Sequence, residues 1–359
     1  MKNEVRNILV IRFRRVGDSV LSMALCHSLK LTFPNANVDL VINKGIHMLY
    51  ENHPDVDHVI TFDNEENHSV LKYVSKVWKT MHSTHYDVII DMRGTIKTLW
   101  FSLFSLSTPF RIGSRKGYGK GILNYQVDNH NNLMNRVQQN NMLLQPLRKI
   151  ADVKESEDFR LYVTDEHKTA FRTYMQEQGV DFSRPVIIAT PTARQEYKVW
   201  PKEYMKEILW RIIRDYDAQI IFNFAGDVER KCAMHYREEL GNDPHIFINV
   251  EANSLPDLCA LTVNCNFFFG NEGGPRHIAQ AMGVPTYAIF PPGIRKGLWQ
   301  PNEGKRYSGI STEDFMPTEE QLSKKMTYEE RMRLIDVESV WTGLKQSLDY
   351  NLQMSDDKY

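Results

Sequence analysis

Three stretches of this chain gather residue types that could do chemistry. The first is Gly270-Asn271-Glu272-Gly273-Gly274-Pro275, which breaks the apolar run 267–269. Pro275 suits the first turn of a helix, and Ile278, Ala279 and Met282 share one helical face. Gly283 and Pro285 then end that helix, and residues 286–290 form a second apolar strand. Unpaired NH groups at a helix start, aided by the dipole, favour an anion. Gly273 and Gly274 would let such a ligand approach the main chain closely. Glu272 would repel a phosphate, so its carboxylate suits sugar hydroxyls or the helix NH groups. The alternative is an ordinary tight turn between strand and helix.

The second stretch is Arg14-Arg15-Val16-Gly17-Asp18-Ser19, between a strand at 8–13 and a helical pattern through Val20, Leu21, Ala24, Leu25 and Leu29. The turn is not GxGxxG, which argues against a dinucleotide site. It offers instead a carboxylate, Asp18, at a helix start above the carboxyl edge of the sheet. Taken alone, that position favours a helix cap. The third stretch, Asp91-Met92-Arg93-Gly94-Thr95-Ile96-Lys97, leaves another strand and brings Asp, Arg and Lys to the same edge, where open α/β sheets bind ligands. Further on, residues 111–121 (RIGSRKGYGKG) combine four basic residues with four glycines. This run reads either as a flexible solvated loop or as a mobile cationic loop for phosphates on a partner.

The elements that must position these groups follow from periodicity. Strands are predicted at 8–13, 38–42, 58–62 and 86–92, with helices at 45–51 and 66–81 between them. The second half repeats the alternation, with strands at 186–190, 219–225, 246–250, 266–269 and 286–290. Its helices fall at 202–216, 228–240 and 255–263. Two doubly wound α/β domains in tandem are expected, with a cleft between them. Their bounds are 1–165 and 166–335, followed by a C-terminal helix and frayed tail over 336–359. The aromatic run 99–110 is too short to span a bilayer and reads as a core helix. Residues 124–141 read as polar loop, 141–150 as helix, and the chain from 318 onward as charged helix with Val337, Val340, Trp341 and Leu344 inward.

Composition limits the remaining classes. The 359 residues are 42% hydrophobic and 25% charged, as in soluble globular proteins of about two domains. A net charge of −1 gives no general electrostatic case for nucleic acid or strong membrane attraction. Cys26, Cys232, Cys259 and Cys265 are irregularly spaced and read as reduced thiols; no metal signature is present. The start of the chain shows no signal-peptide pattern and no apolar run is long enough to span a membrane, so a cytoplasmic protein is expected.

RRVGDSVLSMALCHSLKLTFPNANVDLVI, DMRGTIKT, KVWP and GNEGGPRHIAQAMGVP follow one another along the chain in the order of the heptosyltransferases, glycosyltransferase family 9. The chain resembles that family over nearly its whole length. The resemblance implies GT-B architecture, two Rossmann-like domains facing across a cleft, with a nucleotide sugar on the C-terminal domain. It implies an inverting, metal-independent transfer, of heptose from ADP-heptose, to a lipopolysaccharide core or related glycan held by the N-terminal domain, without a cofactor. Contact with a membrane would be peripheral, at the inner face of the bacterial inner membrane.

By the same resemblance Asp18 matches the family's aspartate, a base rather than a cap, and Lys198 matches the phosphate-binding lysine. Thr190, Thr192, Gly273 and Gly274 would line the diphosphate, and Glu272 and His277 complete the donor set. From their charge rather than from the resemblance, which is poor over 111–141, Arg15, Arg93, Lys97, Arg115, Lys116 and Lys120 are expected to bind the acceptor. The chain departs from the family at Glu272-Gly273, where aspartate followed by serine or threonine is usual; this bears on the donor's sugar more than on its diphosphate. An epimerase of the same architecture, or a non-catalytic nucleotide-sugar binder, are the competing readings.

Overall fold

In the computed structural model, residues 4–315 and 326–356 are described, with side chains through 353. The chain divides into two compact units, Met1–Tyr162 and Val163–Tyr359.

The first unit contains β1 (Asn7–Ile11), α1 (Val16–Val20), α2 (Met23–Thr32), β2 (Asn37–Asn43), β3 (His58–Phe62), α3 (Asn64–His68) and α4 (Val70–Ser83). It continues through β4 (Val88–Asp91), α5 (Leu99–Leu103), β5 (Phe110–Ser114), β6 (Tyr125–Val127) and α6 (Arg136–Asn141). The second holds α7 (Asp165–Glu177), β7 (Val186–Thr190), α8 (Lys202–Tyr216), β8 (Gln219–Phe222), α9 (Gly226–Glu239), β9 (Ile246–Phe247) and α10 (Leu255–Val263). β10 (Phe267–Asn271), α11 (Gly274–Ala281), β11 (Thr286–Phe290), α12 (Lys296–Trp299) and β12 (Tyr307–Ser311) follow.

All pairings are parallel, and the two sheets share one topology. Their orders are β3-β2-β1-β4-β5-β6 and β9-β8-β7-β10-β11-β12. In each, the order reverses between the first and fourth strands. Such a reversal opens a crevice at the carboxyl ends of those strands, because the two connections leave in opposite directions. The crevices therefore lie after β1 and β4, and after β7 and β10.

Apolar residues on both faces of these strands explain the burial. Val186–Thr190, Phe267–Asn271 and Thr286–Phe290 are buried throughout. Leu9, Ile11, Val41, Phe62, Tyr73, Val77, Ile89 and Phe101 form a core cluster in the first unit. In the second, Val340, Leu344 and Leu348 of the C-terminal helix, Val337–Asp356, join the core built on Ile187, Phe267 and Phe269.

Several expectations need correction. The aromatic run forms a short helix, α5, while Phe110 starts a strand; Phe101 is in the core, but Leu103 and Leu106 are exposed. Arg111 lies in β5 rather than in a solvated loop, buried and donating to the carbonyls of Ile122, Leu106 and Thr108. Residues 124–141 contain β6 and α6, whose N-cap, Asn135, makes a capping box with Gln138. α7 and β12 are further elements that the periodicity reading did not include. The C-terminal helix continues to Asp356, whereas the sequence leads one to expect fraying after Asn351. Part of the predicted helix from 318 lies outside the described residues. Among the described residues no helix is long and apolar enough to cross a membrane.

Candidate active site

In the second unit the site is built by an unusually close approach of β10 to β7. Gly270 has φ +151°, and a Cβ there would lie 2.3 Å from Thr190 Oγ1 and 2.6 Å from Thr190 O. Only glycine permits that spacing. The next residue, Asn271, then clasps the loop after β7. Its Nδ2 donates to Thr190 O and Pro191 O, each at 3.1 Å, and its Oδ1 accepts from Trp200 N at 2.9 Å. Trp200 is buried and donates through its indole to Ile335 O at 2.8 Å. The loop between Thr190 and Trp200 is thus pinned at both ends, and Lys198 is carried on it.

Lys198 Nζ donates to Glu272 Oε2 at 2.8 Å. Glu272 is only 6% exposed, and its Oε1 lies 3.8 Å from His277 Nε2. Burial would raise this carboxyl, but His277, Lys198 and Arg276 together outweigh it and hold the group at about 2. Arg276 is fully buried; it donates to Gln280 Oε1 and Trp299 O, and its Nη2 is 2.9 Å from His277 Nε2. Burial lowers Arg276 to about 10, against the pull of Glu272. Gly273 precedes α11 in extended conformation, and no side chain caps this helix. Lys198, His277 and Arg276 are the cationic groups around this buried carboxylate, and the start of α11, two residues on, adds the positive end of a helix dipole. Thr190 and Thr192 are also buried here, Thr192 Oγ1 lying 3.4 Å from Glu229 Oε2.

In the first unit Asp18 sits on α1 beside the β1/β4 crevice. It does not cap the helix: Arg15 is the N-cap residue, and no side-chain capping bond is made. Instead the carboxylate meets Arg12, whose Nη2 donates to Asp18 Oδ1 at 3.0 Å. Asp18 also attracts Arg93 and Arg136, while Arg14 repels both of them and Arg12. One carboxylate therefore stands among four guanidiniums. Asp91 shapes the neighbouring turn: Oδ1 accepts from the NH groups of Arg93 and Gly94, and Oδ2 from Thr98 Oγ1 at 2.6 Å. Burial raises the Asp91 carboxyl, which serves the turn.

The other residues expected on the acceptor side divide into two groups. Arg15, Arg115 and Lys120 are exposed. Lys97 donates to Asn67 O and lies 4.2 Å over the Tyr73 ring, so its charge is used internally. Lys116 donates to Gly94 O at 2.5 Å and Tyr118 to the same oxygen at 2.7 Å, which docks the basic loop on the Asp91–Thr98 turn. Sequence reading gave no role to Arg12, Arg14, Arg136, Asn271 or Arg276. A cation closing the apolar strand of 8–13, and an arginine beside the glycine turn, were the available signals. Among the described residues no group of three or more His, Cys, Asp or Glu is placed to hold a metal ion.

The profile of glycosyltransferase family 9 (heptosyltransferase) matches residues 74–326. Lipooligosaccharide heptosyltransferase 2 of Haemophilus influenzae is 24% identical over 299 residues, 80% of this chain and 83% of that protein. A solved glycosyltransferase family 9 structure from Veillonella parvula superposes with a TM-score of 0.82 at 17% identity, covering 97% of this chain and 98% of the other. The ADP-heptose lps heptosyltransferase II of E. coli gives 0.72 at 19% identity, covering 97% and 99%.

Proposed function

From the premise that the chain belongs to glycosyltransferase family 9, the heptosyltransferases, and is a glycosyltransferase, we propose an inverting transfer of heptose from ADP-heptose to a lipopolysaccharide core. The acceptor hydroxyl attacks the anomeric carbon from the face opposite the diphosphate. The new C–O bond forms as the old one breaks, its electron pair leaves on the diphosphate oxygen, and the hydroxyl proton passes to Asp18. Lys198 and the uncapped start of α11 meet the growing charge on the leaving group, so the transfer needs no metal. Thr190, Thr192, Gly273 and Gly274 line the diphosphate, and Glu272 with His277 hold the sugar. Arg93, with Arg15, Arg115 and Lys120 on the exposed rim, engages the acceptor; Lys97 and Lys116 shape that side through their internal bonds.

The observation that carries this reading is Lys198 held 2.8 Å from Glu272 beside the start of α11, at the β7/β10 crevice. Its natural complement is a ligand that is anionic at one end and rich in hydroxyls at the other. The test is a panel of nucleoside-diphosphate sugars, each incubated with and without lipopolysaccharide core acceptor. Acceptor-dependent nucleotide release, largest with ADP-heptose, unaffected by a chelator and giving the inverted anomer, is expected. Donor isomerisation without acceptor would identify an epimerase instead, and binding without turnover a non-catalytic binder.

A further inference from the structure

Arg12 is a cation where the pattern of β1 asks for an apolar residue. It follows Ile8–Ile11 directly and is 4% exposed. A guanidinium so placed is costly unless its donors are satisfied. Here Nη2 donates to Asp18 Oδ1 at 3.0 Å and to Asp18 O at 3.3 Å, Nε to Asp18 O at 3.4 Å, and Nη1 to Met92 O at 3.0 Å. One planar group thus ties the end of β1 to α1 and to the turn after β4, across the crevice. The Asp18 side chain is 19% exposed, and among the described residues its Oδ2 has no hydrogen-bond partner.

We infer that Arg12 is a positioning residue for the transfer: it fixes Asp18 through Oδ1, leaving Oδ2 to take the acceptor's proton. The inference rests on the proposed role of Asp18 as base. A fork that grips both the side chain and the main chain of one residue removes the carboxylate's freedom to rotate.

The test is a double-mutant cycle on the full chain with Arg12→Gln, Asp18→Asn and the pair, read as kcat, acceptor KM and nucleotide affinity. Arg12→Gln should lower kcat about 100-fold while both KM and nucleotide affinity stay within about twofold. Arg12→Lys should recover part of the loss, because an ammonium can reach Oδ1 but not the carbonyls of Asp18 and Met92 together. In the Asp18→Asn background, Arg12→Gln should cost nothing further. Wild-type kcat in Arg12→Gln, or losses that multiply in the pair, would overturn the inference. If Arg12→Gln does not fold, as judged by thermal melting, Arg12→Lys takes its place in the cycle. An active Arg12→Gln beside an inactive Asp18→Asn removes only the role of Arg12, whereas an active Asp18→Asn removes the base itself.

Discussion

At the scale of single residues, the site depends on charges largely removed from water and paired with one another. Lys198 is the clearest case. Its ammonium already faces Glu272 at 2.8 Å, and the same charge would meet a diphosphate whose negative charge grows as the bond breaks. Lys198→Met should therefore weaken nucleotide diphosphate binding and slow turnover together, by about 10- to 1,000-fold in kcat/KM. Titration calorimetry with ADP, alongside initial rates, checks both. Unchanged affinity and rate would take Lys198 out of the site. The departure at Glu272 also belongs at this scale. Its buried carboxylate reaches Lys198 and lies near His277, so a sugar bound there competes with an ion pair already in place.

At the scale of elements, the close approach of β10 to β7 is what places Lys198. Gly270 allows it, since a Cβ would overlap Thr190 Oγ1, O and N at 2.3, 2.6 and 2.7 Å. Asn271 can clasp the β7 loop only when the strands are this close. Gly270→Ala should push the strand ends apart and cost on the order of 3 kcal/mol. In a unit of this size that corresponds to a fall of about 6–12 °C in melting temperature. Nucleotide affinity should fall with it, even under conditions where the variant is folded. A melting temperature equal to wild type in differential scanning calorimetry would show that the contact tolerates a side chain.

For the molecule as a whole, acid should be destabilising, and Glu272 supplies part of the reason. Its carboxyl is held at about 2 in the folded state, against an ordinary value of 4.5. A group lowered by folding stabilises the protein above its unfolded value, and that stability is lost as pH falls from about 4.5 toward 2. For a buried carboxylate the shift corresponds to roughly 3 kcal/mol. Asp91, raised by burial, acts in the opposite sense and favours folding as pH falls, so the net slope is smaller. Urea unfolding between pH 6 and pH 3 should show a decline in wild type that is shallower in Glu272→Gln. Identical slopes would mean that Glu272 titrates alike in the folded and unfolded chain.

The sequence by itself determined the α/β class, the repeat of the alternation, and most strands of both sheets, because apolar periodicity records burial that is local along the chain. It also marked Asp18 and the turn at Glu272-Gly273-Gly274, since strand, glycine turn and helix start are contiguous there. Tertiary structure alone decided which polar groups meet. Lys198 and Glu272 are 74 residues apart, and Arg12 and Met92 are 80 apart. Those pairs exist because strand order sets β7 beside β10 and β1 beside β4. The same long-range order took Arg111, Lys97 and Lys116 into internal bonds, although their composition reads as an open cationic surface. A buried donor takes whichever acceptor the fold brings within reach, and that acceptor is fixed by strand neighbours rather than by neighbours in sequence.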